Sequence, residues 1–238
     1  MNAVPDEARR AEIENGLAAV RERIDSACAD AGRSSDEITL IVVTKFFPAS
    51  DVRLLADLGV RHVGENRHQE AVDKAAECSD VDVRWHFIGA LQSNKAAAVA
   101  GYADVVHSVD RAKLLGGLSR GAQERHQEIE CLVQVSLDPP EASGRSGAAV
   151  DQVPGLAERI LETDGLRLRG VMGVAPLDGD PRAAFVRLAE MASVVRQTEP
   201  GATWISAGMS GDLEHAIRQG ATHLRIGSAV LGPRPVVK

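Results

Sequence analysis

Eight short β-branched runs alternate with helical patterns along this chain, and that order constrains the fold more than any other feature of the sequence. The strand candidates are 38–44, 61–63, 83–87, 105–107, 129–135, 166–170, 203–205 and 222–226. Between them lie helical segments at 49–58, 69–77, 93–100, 111–123, 150–162, 181–197 and 211–219. A repeating strand–helix–strand order requires parallel pairing through right-handed crossovers. Two architectures satisfy it, a closed (β/α)8 TIM barrel and an open doubly wound sheet. The strand count, a length of 238 residues and the lack of a GxGxxG after the first strand favour the barrel. Ahead of it, Leu17, Val20, Ile24, Ala27 and Ala31 recur at three- and four-residue steps and predict an extra N-terminal helix over 7–31, stopped by Gly32. Gly59, Gly101 and Gly220 follow other helices, where a left-handed residue is expected. The reading is a single domain over 1–238, with the barrel at 38–232 and a short tail.

Charge and composition narrow the function. A net charge of −7 argues against the electropositive surface that nucleic acid requires, and aromatic residues at 3% leave little for base stacking. No run approaches a membrane span, and the first thirty residues carry no apolar signal core. Cys28, Cys78 and Cys131 lie far apart with no CxxC spacing, the usage of reduced thiols in the cytoplasm. The seven histidines show no ligand spacing of the HExxH kind, so no metal is expected.

In a barrel of this kind the active site lies at the C-terminal ends of the strands. Lys45 follows the apolar run Ile41-Val42-Val43-Thr44 and precedes Phe46-Phe47. Partial desolvation there makes its amine a better nucleophile toward an aldehyde; an isolated lysine would more simply snorkel to solvent. The last two strands end in small-residue loops, Ser206-Ala207-Gly208-Met209-Ser210-Gly211 and Gly227-Ser228. Loops after strands seven and eight form the usual phosphate site of these barrels. The plainer alternative makes Ser210 a helix cap and Asp212 its first-turn acid. A phosphate opposite a strand-one lysine is the arrangement that pyridoxal 5′-phosphate (PLP) needs when bound as a Schiff base. Arg225, on the eighth strand, either pairs with the phosphate or faces the pyridine nitrogen; a surface ion pair is the bland alternative. Since arginine effectively never deprotonates, the second arrangement leaves the ring a weak electron sink.

These residues resemble the YggS/PROSC family of pyridoxal phosphate homeostasis proteins over nearly the whole chain. The stretches that carry the resemblance are VTK (43–45), GEN with QE (64–66 and 69–70), WHFIGALQSNK (85–95), SVDR (108–111), LRGVM (168–172), SAGMSGDLEHAI (206–217) and RIGSAVLG (225–232). The resemblance implies a barrel like the N-terminal domain of alanine racemases, with PLP on Lys45. It also implies Ser206, Ser210, Gly227 and Ser228 as phosphate ligands, Met209 beside them, Arg225 at the pyridine nitrogen and Asn66 near the ring. Two residues depart from the family pattern: Arg67 stands where many members carry Tyr, and Arg145 where the loop at 138–149 usually carries lysine. That loop, rich in Pro, Gly and Ser, is expected to be mobile.

Within WHFIGALQSNK, strand alternation decides whether His86 faces the barrel mouth or packs as a structural residue, while Trp85, Phe87 and Ile88 are read as core. Gln92, Asn94 and Lys95 either meet a partner or solvate a helix start. Family members look like PLP carriers, with PLP-dependent apo-enzymes as possible recipients. The alternatives are a racemase-like PLP enzyme and a barrel for another phosphate metabolite. Two-base racemisation needs a second acid–base group; the sole tyrosine, Tyr102, is expected at the opposite, N-terminal rim. A carrier without turnover, monomeric or weakly homodimeric, is therefore the expectation.

Overall fold

A computed structural model describes residues 4–138, 146–177 and 179–233. Eight parallel strands close into a barrel in sequence order: β1 (Thr39–Val43), β2 (His62–Glu65), β3 (Arg84–Phe87), β4 (Val105–Val109), β5 (Ile129–Gln134), β6 (Leu166–Met172), β7 (Trp204–Ser206) and β8 (His223–Ile226). The β1–β8 seam, from Thr39 opposite His223 to Val42 opposite Ile226, completes the ring. The chain is thus a TIM barrel, and the strands fall within a few residues of the β-branched runs. The lack of a free sheet edge follows from closure.

Nine α-helices are described: α1 (Val4–Asp30), α2 (Ala49–Asp57), α3 (His68–Glu77), α4 (Ala96–Ala100), α5 (Leu115–Arg125), α6 (Val153–Leu161), α7 (Pro181–Thr198), α8 (Leu213–Arg218) and α9 (Ser228–Leu231). Strand alternation divides two cores. Val42, Val63, Phe87, Val106 and Val171 face outward into the apolar layer beneath the helices. Val105, Leu132 and Met172 pack inside the barrel with Trp204. Gly59 and Gly220 take the expected left-handed conformation. Gly101 does not: at φ −65° it continues the helical turn, its N–H donating to Ala97 O.

The N-terminal helix braces the barrel end that carries the small-residue loops. Ile13, Leu17, Val20, Ile24 and Ala27 bury the stripe read from the sequence. A Cβ on Gly16 would come within 2.4 Å of Val230 O, so only glycine lets α1 approach α9 this closely. Arg23 donates to Ser210 O and Glu214, and Arg9 donates to Leu231 O and Asp51. The short helix α9 is new to the structure: Gly227-Ser228 opens a helical turn where the sequence suggested only a loop.

Candidate functional site

The C-terminal ends of the strands enclose a cleft of about 290 Å³. Lys45 enters it two residues beyond Val43, keeping the inward phase of β1, and is partly buried. Phe46, Phe47 and Ile88 form the apolar wall, while Met209, Ser210 and Gly211 face them from the loop after β7. Gly227, Ser228 and Arg225 complete the lining from β8 and its loop. Six of the eight sequence-named residues therefore meet in one cleft: Lys45, Met209, Ser210, Arg225, Gly227 and Ser228. A side chain on Gly211 would meet no protein atom within 4 Å, so bare backbone there leaves room for a ligand.

The other two residues lie elsewhere. Ser206 is fully buried, its hydroxyl 2.6 Å from Arg225 Nη1 and 2.9 Å from His107 Nδ1. Ser206 does not line the cleft: its hydroxyl lies below it, committed to Arg225 and His107. Asn66 follows β2 and lies against Gly89, where an added Cβ would sit 2.1 Å from Asn66 O, and it does not line the cleft. That contact explains the glycine of WHFIG. Arg67 stacks its guanidinium 4.7 Å over the Phe46 ring, covering the residue next to Lys45. Arg145, with the rest of 139–145, lies outside the described residues. The helix-cap alternative for Ser210 also fails, because Asp212 occupies the N-cap of α8.

Arg225 donates to Ser206 Oγ and Gly173 O, and among the described residues it has no carboxylate within ion-pair distance. Burial brings its guanidinium down to about 10. The surface ion pair considered for it is therefore replaced by a buried cation bonded to neutral oxygens.

Two further groups of residues lie near the cleft, and the sequence assigns neither a role beyond the structural alternative for His86. Behind Lys45, Lys74 Nζ lies 2.6 Å from Glu65 Oε1 and 2.8 Å from Thr44 O, and Thr44 Oγ1 donates to the same carboxylate. Glu70 accepts from Phe46 N. Bonds on both sides of Lys45 thus fix a turn in which Phe46 takes φ +70°, a left-handed position unfavourable for a non-glycine residue. Burial pushes the Glu65 carboxyl up, against the opposing pull of Lys74. Alternation in His-Val-Gly-Glu and the Glu70–Lys74 helical spacing are the sequence signals that point to this clamp.

The second group lies inside the barrel. His86 does face inward, but it is buried and hydrogen-bonded to His62 and His107, away from the cleft lining. Ile88, read as core, instead walls the cleft, while Gln92, Asn94 and Lys95 are exposed. Tyr102 stacks on His68 at the start of α3, with ring centroids 5.9 Å apart, and lies outside the cleft. No group of three or more described His, Cys, Asp or Glu residues has metal-binding geometry.

A closed parallel barrel with a strand-one lysine facing small-residue loops after β7 and β8 places the chain in the alanine racemase N-terminal domain class, whose family model matches residues 17–235. Within that class the relatives agree on a narrower family. The chain is 42% identical over 254 aligned positions to the pyridoxal phosphate homeostasis protein of Mycobacterium tuberculosis H37Rv, covering 98% of this chain and 96% of that one. It is 35% identical to the Escherichia coli K12 protein of the same name, covering 95% and 99%. PipY from Synechococcus elongatus, solved with PLP bound, superposes with a TM-score of 0.80 at 33% identity, over 92% of this chain and all of that one. The chain belongs to the pyridoxal phosphate homeostasis protein family.

Proposed function

We propose that this protein binds PLP as a Schiff base on Lys45 and serves vitamin B6 homeostasis as a PLP carrier, without substrate turnover. The observation that carries the reading is the position of Lys45. Its side chain is the one primary amine among the described residues of the cleft, opposite the glycine and serine backbone of two loops. The family name and the PLP-bound PipY structure support the same cofactor.

The donor set suits PLP. Ser210, Gly211, Gly227 and Ser228 would offer backbone N–H groups and hydroxyls to the phosphate, and Arg225 would serve the ring as a fixed donor. Met209 and Ile88 supply apolar contact. PLP, when bound, supplies an aldehyde carbon that an amine can attack. Phe46 and Phe47 limit water around that amine, and the Glu65–Lys74 clamp holds its backbone.

Carriage is favoured over racemisation because Lys45 and Arg225 are the sole titratable side chains among the described residues of the cleft. Two-face proton transfer needs a second acid–base group beside the lysine, and Arg225 is a poor proton acceptor. Apo-enzymes that require PLP are the natural recipients, the cytoplasm is the natural compartment, and the closed barrel permits a monomer or a weak homodimer.

The test is spectroscopic. Purified protein incubated with PLP should turn yellow, and borohydride reduction followed by digestion should leave a pyridoxyl adduct on the Lys45 peptide. An unmodified peptide after saturation refutes the linkage, and undiminished colour in Lys45→Ala does the same. Incubation of the loaded protein with L- and D-amino acids in deuterated water should leave the α-carbon unlabelled. Appreciable deuterium there would favour the racemase-like reading.

A further inference from the structure

Arg225 poses a problem that the cleft does not solve. Its guanidinium is buried, and the described residues that receive its hydrogen bonds, Ser206 Oγ and Gly173 O, are uncharged. Arginine does not readily relieve such a burden by losing its proton. A buried cation needs a compensating negative potential from its surroundings; the Asp212 carboxylate supplies part of it at a distance, without forming an ion pair, and burial still outweighs it.

Behind Ser206 a line of three imidazoles crosses the barrel. His107 Nδ1 lies 2.9 Å from Ser206 Oγ, His107 Nε2 lies 2.8 Å from His86 Nδ1, and His86 Nε2 lies 2.9 Å from His62 Nδ1. The rings come from β4, β3 and β2, and the line ends at His62, which borders a second cleft with Arg21, Asp25 and Arg61. Arg84, Glu130, Asp104 and His223 exert the neighbouring charges on His62 and the rings around it, and Arg169 acts on His223. Burial disfavours a charge on each of the three relay rings.

The protons along this line have little freedom. Arginine only donates, so Ser206 Oγ accepts from Arg225. The single hydroxyl hydrogen then has His107 Nδ1 as its acceptor among the described residues. His107 must carry its proton on Nε2 and donate to His86, and His86 must carry its own on Nε2 and donate to His62. The reverse arrangement would aim two donors at Ser206 and leave its hydrogen without a described acceptor, an expensive outcome in a buried site. Every ring therefore turns a lone pair toward Arg225 and an N–H away from it. Aligned hydrogen bonds polarise one another, and the negative ends of these three dipoles face the guanidinium.

We propose that His107, His86 and His62 are positioning residues whose aligned dipoles hold Arg225 in the cleft as a cation, in the place a hydrogen-bonded carboxylate would otherwise take. This inference goes beyond the carrier reading, because it depends on where Arg225 sits and not on which ligand the cleft takes. The experiment uses ligand-free, 15N-labelled full-length protein, so its outcome is separate from that of the PLP tests.

Long-range 15N–1H correlation at neutral pH should find all three rings uncharged and protonated on Nε2. A charged ring, or His107 or His86 protonated on Nδ1, overturns the proposal. His86→Leu cuts the line without removing Ser206 or Arg225. In that variant the Arg225 guanidinium protons should exchange with solvent at least tenfold faster, while the Trp204 indole proton keeps its rate. Unchanged Arg225 exchange, or an equal rise at Trp204, assigns His86 to packing alone and overturns the proposal. If His86→Leu does not fold, the protonation pattern in the unaltered protein decides.

Discussion

Mild acid should destabilise this protein far more than its surface charges would suggest. His86 and His107 are buried in the barrel, and burial holds both well below the usual histidine range. Burial likewise brings His223 down to about 3. In the unfolded chain each takes up a proton near pH 6.5, whereas the folded rings stay neutral. The unfolded state thus binds more protons as pH falls, so stability is full above about pH 6.5 and drains away below it. Between pH 7 and pH 5.5 each ring costs about 1.3 kcal/mol, and the three together about 4 kcal/mol. Glu65 acts in the opposite sense, because its raised carboxyl takes up a proton in the folded state first. The net loss should therefore fall somewhat below that sum, still a large part of the roughly 5–15 kcal/mol that stabilises a typical domain. Urea unfolding at the two pH values, with the slope m shared, measures it. Replacing one ring, as in His223→Gln, should shrink the dependence by roughly a third. A change below about 1 kcal/mol would mean that the folded rings already carry protons, and the argument from burial would be wrong.

Two further perturbations probe what supports the cleft. Lys74→Met leaves the Glu65 carboxylate buried without its cation and should cost about 3–5 kcal/mol in urea unfolding. The same variant should slow imine formation at Lys45, whereas adding Glu65→Leu should recover most of the stability; a single variant as stable as the parent would dismiss the clamp. Gly170 sits at φ +149° where β6 meets β7, and a Cβ would come within 1.9 Å of Trp204 O. Gly170→Ala should therefore lower stability by about 2–5 kcal/mol, read as a lowered urea midpoint at unchanged m, and an unaltered midpoint would show that the strands can part at little cost.

Element order, barrel class and the meeting of Lys45 with the loops after β7 and β8 were legible in the sequence because each rests on local chemistry. Runs of β-branched residues, helical spacing and glycine-serine loops declare themselves within a few neighbours, and the barrel rule then assigns them to one rim. Helix α9 escaped because a single four-residue turn leaves almost no periodic signal. What the sequence left open is where inward-facing polar residues stop, and that depends on register between strands far apart in the chain. Ser206 and His107 are 99 positions apart, yet pairing around the barrel brings them into one hydrogen bond. The same closure takes Ser206 out of the cleft, seats Asn66 on Gly89, turns His86 toward His62 and His107, and buries Lys74 beneath the turn that carries Lys45. Local pattern names the residues able to do the chemistry; only the assembled ring decides which of them reach the cleft and which hold those that do.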